Sequence, residues 1–212
     1  MLFNSNNDVN NYLIDIWFPL FFKINVVFTK KNIFEKNIFI NFLEKERVSL
    51  LISNKKMIEN YFSEIKEEKM IFLKHIVINK EKLNENLENF IRKELKIFIT
   101  NSLDILECTT FAAISTINFT GKDVSGAKIT QHSFRENKIG KALISNFIKI
   151  VDKNDFHKKL RENENGMILI KGKNVITSYP ENPKLNSERF FDGYFITNLI
   201  GNINPEGFIE II

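Results

Sequence analysis

The chain has a single cysteine, Cys108, in 212 residues, so it closes no internal disulfide and builds no cysteine metal cluster. Its eight glycines make no phosphate-binding fingerprint, and Gly121 and Gly126 read as turn residues. Long hydrophobic runs are missing too. The longest, Tyr12 to Phe22, is about half a membrane span and carries Asp15 and Pro19. The opening residues, MLFNSNNDVNN, lack the basic stretch that precedes the apolar core of a secretory leader. These absences lead to the expectation of a cytoplasmic protein without a transmembrane segment, with a peripheral position on the cytoplasmic membrane face as the alternative. The histidines, His75, His132 and His157, have no metal-ligand partner at useful spacing, so no metal site is expected. The formal charge of +4 comes from lysines scattered among glutamates. That pattern describes solvated helix faces and excludes a clustered nucleic-acid footprint.

What is present is an ordinary globular composition, 43% hydrophobic and 26% charged, in a chain long enough to bury a core. Asn10 or Asn11 can cap a short apolar helix, Tyr12 to Phe18, which Pro19 then disturbs; Ile24 to Phe28 reads as a buried strand. Ile33 to Lys45 has helical spacing (Phe34, Ile38, Phe42), Val48 to Ile52 is a strand, Met57 to Phe62 a helix and Phe72 to Ile78 a strand. Asn84 or Asn86 caps the clearest helix, with Leu87, Phe90, Ile91 and Leu95 on one face. Lys96 to Thr100 and Asp104 to Glu107 return to strand. This alternation predicts parallel βαβ units. Beyond a turn at Thr120 to Asp123 the character becomes strands and hairpins. The fold class expected is α/β: a partial parallel sheet with flanking helices over residues 1–120, then a small antiparallel, barrel-like β-rich subdomain over 121–212.

The most informative stretch runs from Gly166 to Phe208. An alternating strand, Met167 to Lys171, stops at Gly172. Val175 to Tyr179 is a short apolar run, followed by a polar loop with Pro180 and Pro183. Phe190-Phe191 and Tyr194-Phe195 flank Asp192-Gly193, a strong hairpin signal. Asn204-Pro205-Glu206-Gly207 marks another turn before a last strand, Phe208 to Ile212. The order Gly172, Asn174, Ser178-Tyr179, Phe190, Asp192-Gly193-Tyr194-Phe195, Thr197-Asn198-Leu199 and Pro205-Glu206-Gly207-Phe208 resembles the adenylate-forming ligase superfamily, in its acyl-acyl-carrier-protein and fatty acyl-CoA synthetase branch. The resemblance extends upstream. Ile76 to Leu83 is similar to the Val-Val-x-Gly-Ala-Glu-Lys-Leu segment of that branch. Glu107-Cys108-Thr109-Thr110-Phe111 stands in the place of Tyr-Gly-x-Thr-Glu, and Gly140-Lys141 in that of a Gly-Arg pair.

This resemblance implies an enzyme that uses ATP and Mg²⁺ to adenylate a fatty acid and then passes the acyl group to CoA or an acyl-carrier protein. It also implies that the phosphate loop and the catalytic lysine domain fall outside the part matched here. It places nucleotide contacts at Asn79, Lys80 and Glu81, at Glu107 to Phe111, and at Leu199; an acyl-site histidine would align with Asn4. The chemistry-bearing types are changed at several of these. Phe111 replaces the Mg²⁺-linked glutamate, Leu199 the aspartate that binds the ribose, and Asn79 a glycine at the adenine. No catalytic residue is intact, and Cys108, beside an apolar strand without a nearby histidine, reads as a buried thiol. Two roles follow: a segment that works only with a separately encoded ligase partner, or a non-catalytic remnant or scaffold that keeps an acyl-chain or carrier-protein surface.

Overall fold

The computed structural model describes residues 2–3, 17–27, 36–63, 65, 70–109 and 111–212. The expected acyl-site position Asn4, the Asn10/Asn11 cap, most of the Tyr12 to Phe18 helix, the start of the Ile33 helix and Thr110 lie outside them. The chain divides into two compact units, Met1–Asn101 and Ser102–Ile212; residue 120, where composition shifts, falls inside a strand of the second. No helix among the described residues is long and apolar enough to cross a membrane.

In the first unit, strands β1 (Leu2–Phe3), β2 (Leu50–Ser53) and β3 (His75–Asn79) run parallel, with Leu2 beside Leu51 and Leu50 beside His75. Helices supply the crossovers, as expected of βαβ units: α2 (Lys36–Lys45), α3 (Lys55–Phe62) and α4 (Glu85–Lys93). Helix α3 starts because Asn54 Oδ1 accepts from the Met57 N–H at 2.9 Å, satisfying one orphan donor. It then buries Met57, Ile58, Tyr61 and Phe62. For α4 the cap is Asn84, whose Oδ1 accepts from the Asn86 N–H at 2.9 Å. Glu85 and Glu88 lie in its first turn and Arg92 and Lys93 in its last, matching the helix dipole. Phe39, Leu43, Leu51, Ile58, Phe62 and Ile76 are central to one apolar core.

Around Pro19 the described residues form a helical turn, α1 (Phe18–Phe21), with Pro19 as its second residue. One sequence expectation changes here. Ile24 to Val27 make no continuous strand, with only Val27 in a β-bridge.

Next in sequence comes β4 (Phe98–Asp104), buried along most of its length. His75 Nε2 lies 2.8 Å from Thr100 Oγ1, its ring 5.4 Å from that of Phe98. Arg92 stands over the same phenyl ring at 5.6 Å and donates to Ile99 O at 2.6 Å. Burial first, and the Arg92 charge second, hold the His75 pKa below the ordinary imidazole value. The unfolded chain therefore binds a proton that the folded chain refuses. Stability present at neutral pH is lost as pH falls below about 6.5 toward the lowered folded value. Urea unfolding at pH 7.5 and 5.5 is expected to show the loss, and His75→Gln to reduce it.

The second unit is antiparallel. The end of β4 pairs with β5 (Phe111–Ile114), Ser102 opposite Ile114 and Asp104 opposite Phe111, and β5 pairs with β8 (Lys141–Ala142). A separate ribbon joins β6 (Phe119–Lys122) to β7 (Lys128–Gln131). The turn expected at Thr120 to Asp123 is thus strand, and the reversal comes at Asp123 to Gly126, where Asp123 Oδ1 accepts from Ser125 and Ala127 N–H groups. A curled sheet carries β9 (Asn146–Val151), β10 (Gly166–Gly172), β12 (Tyr194–Ile203) and β11 (Phe190–Phe191), with β13 (Ile209–Ile211) on β12. This is the small antiparallel half-barrel expected. The Asp192-Gly193 hairpin forms in register, Phe191 opposite Tyr194, with φ of +50° and +70° at its two turn residues. The polar loop before it holds an unforeseen helix, α5 (Pro183–Arg189), capped by Asn182, with Pro183 at its start.

Candidate functional site

Strand β4 stops at Asp104, and Leu106–Cys108 tighten into a 3-10 turn where the sequence suggested more strand. Thr109 then takes φ +57°. A β-branched residue in that region is strained by about 1–3 kcal/mol and persists only if its surroundings enforce it. They do. Thr109 Oγ1 lies 2.6 Å from Cys108 O and 3.2 Å from Asn174 O, and Asn174 Nδ2 donates to Cys108 O at 2.9 Å. Ile176 N–H donates to Glu107 O at 2.8 Å. The Glu107 carboxylate accepts from the Tyr179 hydroxyl at 2.7 Å and has Arg189, at the end of α5, 3.8 Å away. Burial, then the hydrogen bond and charge of Glu107, push the Tyr179 pKa up, while Arg189 opposes them; the phenol stays protonated at neutral pH.

Below this loop, Asn146 Nδ2 donates to Ala112 O at 3.1 Å. Its Oδ1 lies 2.1 Å from the place a Cβ on Gly172 would take. That packing explains why the strand must end in glycine. Asn174, Tyr179 and Arg189 hold residues Glu107, Cys108 and Thr109, a role the sequence reading does not give them. Asn174 and Tyr179 stood in the motif order. Arg189 had no signal, because its partner is remote in sequence.

Leu199 sits on an irregularity of β12. Between the pairs Met167–Ile200 and Leu169–Ile196, one residue of β10 faces three of β12. Thr197 Oγ1 donates to Ile168 O at 2.8 Å and accepts from the Leu199 N–H at 3.0 Å, while Asn198 takes φ +59°. Such a bulge re-aims a side chain. Here the side chain is apolar, and it packs on the cluster that contains Cys108, Val175 and Phe195. Tyr179 and Phe190 pack on the same cluster. The structure thus brings Cys108 and Leu199 onto one core and ties Glu107 to Thr109 through the Asn174–Tyr179 segment. Phe111, half-buried, opens β5.

In the first unit, Asn79, Lys80 and Glu81 form their own tight turn at the end of β3: Glu81 N–H donates to Asn79 O at 2.7 Å around Lys80 at φ +60°. No group of three His, Cys, Asp or Glu side chains converges among the described residues.

No model of a known family matches the chain. Local matches to curated proteins do exist. It is 46% identical over 46 residues to a peroxisomal butyrate–CoA ligase of Arabidopsis thaliana, covering 22% of this chain and 8% of the ligase. It is 35% identical over 79 residues to a 2-succinylbenzoate–CoA ligase of Listeria innocua, covering 36% and 14%. In fold it is similar over 99% of its length to MatB of Rhodopseudomonas palustris, with TM-score 0.78, 18% identity and 39% of that chain covered. It is also similar to the AMP complex of o-succinylbenzoate coenzyme A synthetase (MenE) of Bacillus subtilis, at TM-score 0.75, 18% identity and 40% of that chain. The chain therefore spans well under half the length of these relatives.

Proposed function

From the premise that this chain carries part of the adenylate-forming ligase fold, and matches CoA ligases in sequence, we propose that it is a ligase-derived segment that does not itself activate a carboxylate. ATP and Mg²⁺ are what this ancestry implies, and the side chains present do not fit them. Mg²⁺ takes hard oxygen ligands, whereas Phe111 offers a phenyl ring at the position the resemblance gives to a glutamate. A ribose needs an acceptor for its hydroxyls, whereas Leu199 lies on an apolar cluster. The packing of the half-buried Leu199 against that cluster carries this reading.

The role we assign is that of a scaffold which keeps the ligase framework and a surface for an acyl chain, CoA or an acyl-carrier protein. A segment that completes a ligase together with another polypeptide would be expected to keep both acids, which weighs against that role. The test is pyrophosphate exchange with ATP and medium-to-long fatty acids. No exchange above background is expected from the 212-residue chain; clear turnover would overturn the reading.

A further inference from the structure

We propose that the face of the curled sheet carrying Phe147, Lys149, Lys171 and Tyr194 is a docking surface for an acidic amphipathic helix of a partner protein. The period of two along a strand puts Phe147, Lys149 and Val151 of β9 on one face. Across β10, Lys171 stands opposite Phe147 and Leu169 opposite Lys149. On β12, Ile196 stands opposite Leu169, and Tyr194, two residues earlier, shares its face. Phe191 of β11 is opposite Tyr194. This face has a small cluster of its own, in which Val151, Leu169 and Ile196 are buried and Phe156, Met167, Phe191 and Tyr194 pack against them. The other face of the same strands belongs to the core around Cys108, through Ile168, Ile170 and Phe195.

Two cations are held together here. Lys149 Nζ stands 4.1 Å from the centre of the Tyr194 ring and 5.6 Å from that of Phe191. Lys171 Nζ stands 5.6 Å from the same Tyr194 ring. Free lysine heads repel each other and spread into solvent. A shared aromatic ring, attracting both through its quadrupole, gathers them instead. Their charge is poorly answered within the unit. The Asp192 carboxylate, 78% exposed, lies 4.0 Å from Lys149 Nζ, and no carboxylate pairs with Lys171 among the described residues.

The chemistry beside this pair selects the occupant. Phe147 is 66% exposed, and Ile144, in the turn before β9, is fully exposed. Exposed apolar side chains next to gathered cations complement a helix whose apolar stripe is flanked by carboxylates. A single-stranded nucleic acid needs bare rings on which bases stack. Here Lys149 and Lys171 stand over Tyr194, and Phe191 meets Phe156 and His157 edge to face at 5.6 Å and 4.9 Å. A second copy would set one chain of net +4 against another. None of these residues belongs to the nucleotide-site segment, so the inference stands apart from that reading.

The probe is a dye-labelled amphipathic peptide of leucine and glutamate at helical spacing, read by fluorescence anisotropy against the full 212-residue chain. Binding is expected, and it should weaken as salt rises. A matching leucine–lysine peptide should not bind, and oligothymidylate should bind less tightly than the acidic peptide. Lys149→Gln combined with Lys171→Gln should weaken binding by about three- to tenfold. Phe147→Ser should weaken it as well. Lys122→Gln combined with Lys128→Gln removes another exposed lysine pair, facing each other across β6 and β7, and should leave binding unchanged. Circular dichroism checks folding; if the Lys149/Lys171 variant does not fold, Lys171→Gln alone, at an exposed position, decides. Absence of binding by the acidic peptide would overturn the proposal. Unchanged affinity in the Lys149/Lys171 variant would too, as would an equal loss from the Lys122/Lys128 pair, which would mark bulk charge. Tighter binding of oligothymidylate would replace the helix with a nucleic acid as the occupant.

Discussion

Gly140→Ala is expected to prevent the second unit from folding. Gly140 sits at φ +128°, a conformation that L side chains rarely adopt. A Cβ there would lie 2.1 Å from the Ile114 carbonyl carbon, 2.2 Å from its oxygen and 2.3 Å from Ser115 N. All three are backbone atoms at the end of β5, so no rotamer change relieves them. The site is also pinned from the other side, because Ile209 N–H donates to Gly140 O and Ile139 N–H to Ile209 O, both at 2.8 Å. Overpacking of this kind, added to backbone strain, costs upwards of about 4 kcal/mol, a large share of the roughly 5–15 kcal/mol that holds a domain together.

Gly126→Ala supplies the contrast. Its φ is +85°, yet nothing lies within 4 Å of the added carbon, so only strain of about 1–2 kcal/mol is expected. Denaturant unfolding of the two variants separates clash from strain. Equal stability of both would show that β5 and the Gly140 strand do not approach as described.

The second large effect concerns nucleotide affinity. Leu199→Asp is expected to tighten ATP binding by about tenfold to a hundredfold, since a hydrogen bond to a charged group contributes roughly 1.5–3 kcal/mol. The bulge at Thr197 to Leu199 already has the hydrogen bonds that hold its shape, so the new carboxylate arrives on a set backbone. The variant should lose some stability, up to about 2 kcal/mol, because a leucine leaves an apolar cluster. Titration calorimetry with ATP tests the gain, and Phe111→Glu in the same chain should add a dependence on Mg²⁺. No gain in affinity from either variant would mean that these positions do not mark a former nucleotide site.

Much of the fold was legible because its causes are local. Asp192-Gly193 forms the expected hairpin since both turn residues tolerate positive φ and the flanking aromatics pair across it. Asn84 caps α4 as its spacing suggested. Helix α5 went unread although Asn182-Pro183 is a helix-start signal, because its seven residues bury no side chain fully and so carry no apolar stripe. The strand expected at Asp104 to Glu107 became a turn for a different reason. Asn174, Ile176 and Tyr179 pull the chain over from a segment far away in sequence, and Thr109 follows into a strained conformation.

The sequence by itself determined the strand–helix alternation of the first unit, the Asn84 cap and the Asp192-Gly193 hairpin. Those follow from residue type and short-range periodicity, which act within a few positions of the chain. Tertiary structure alone decided that the half-buried Leu199 packs against the core around Cys108 and that Tyr179 and Arg189 flank Glu107. A hydrogen bond between residues 72 positions apart leaves no mark on the neighbours of either.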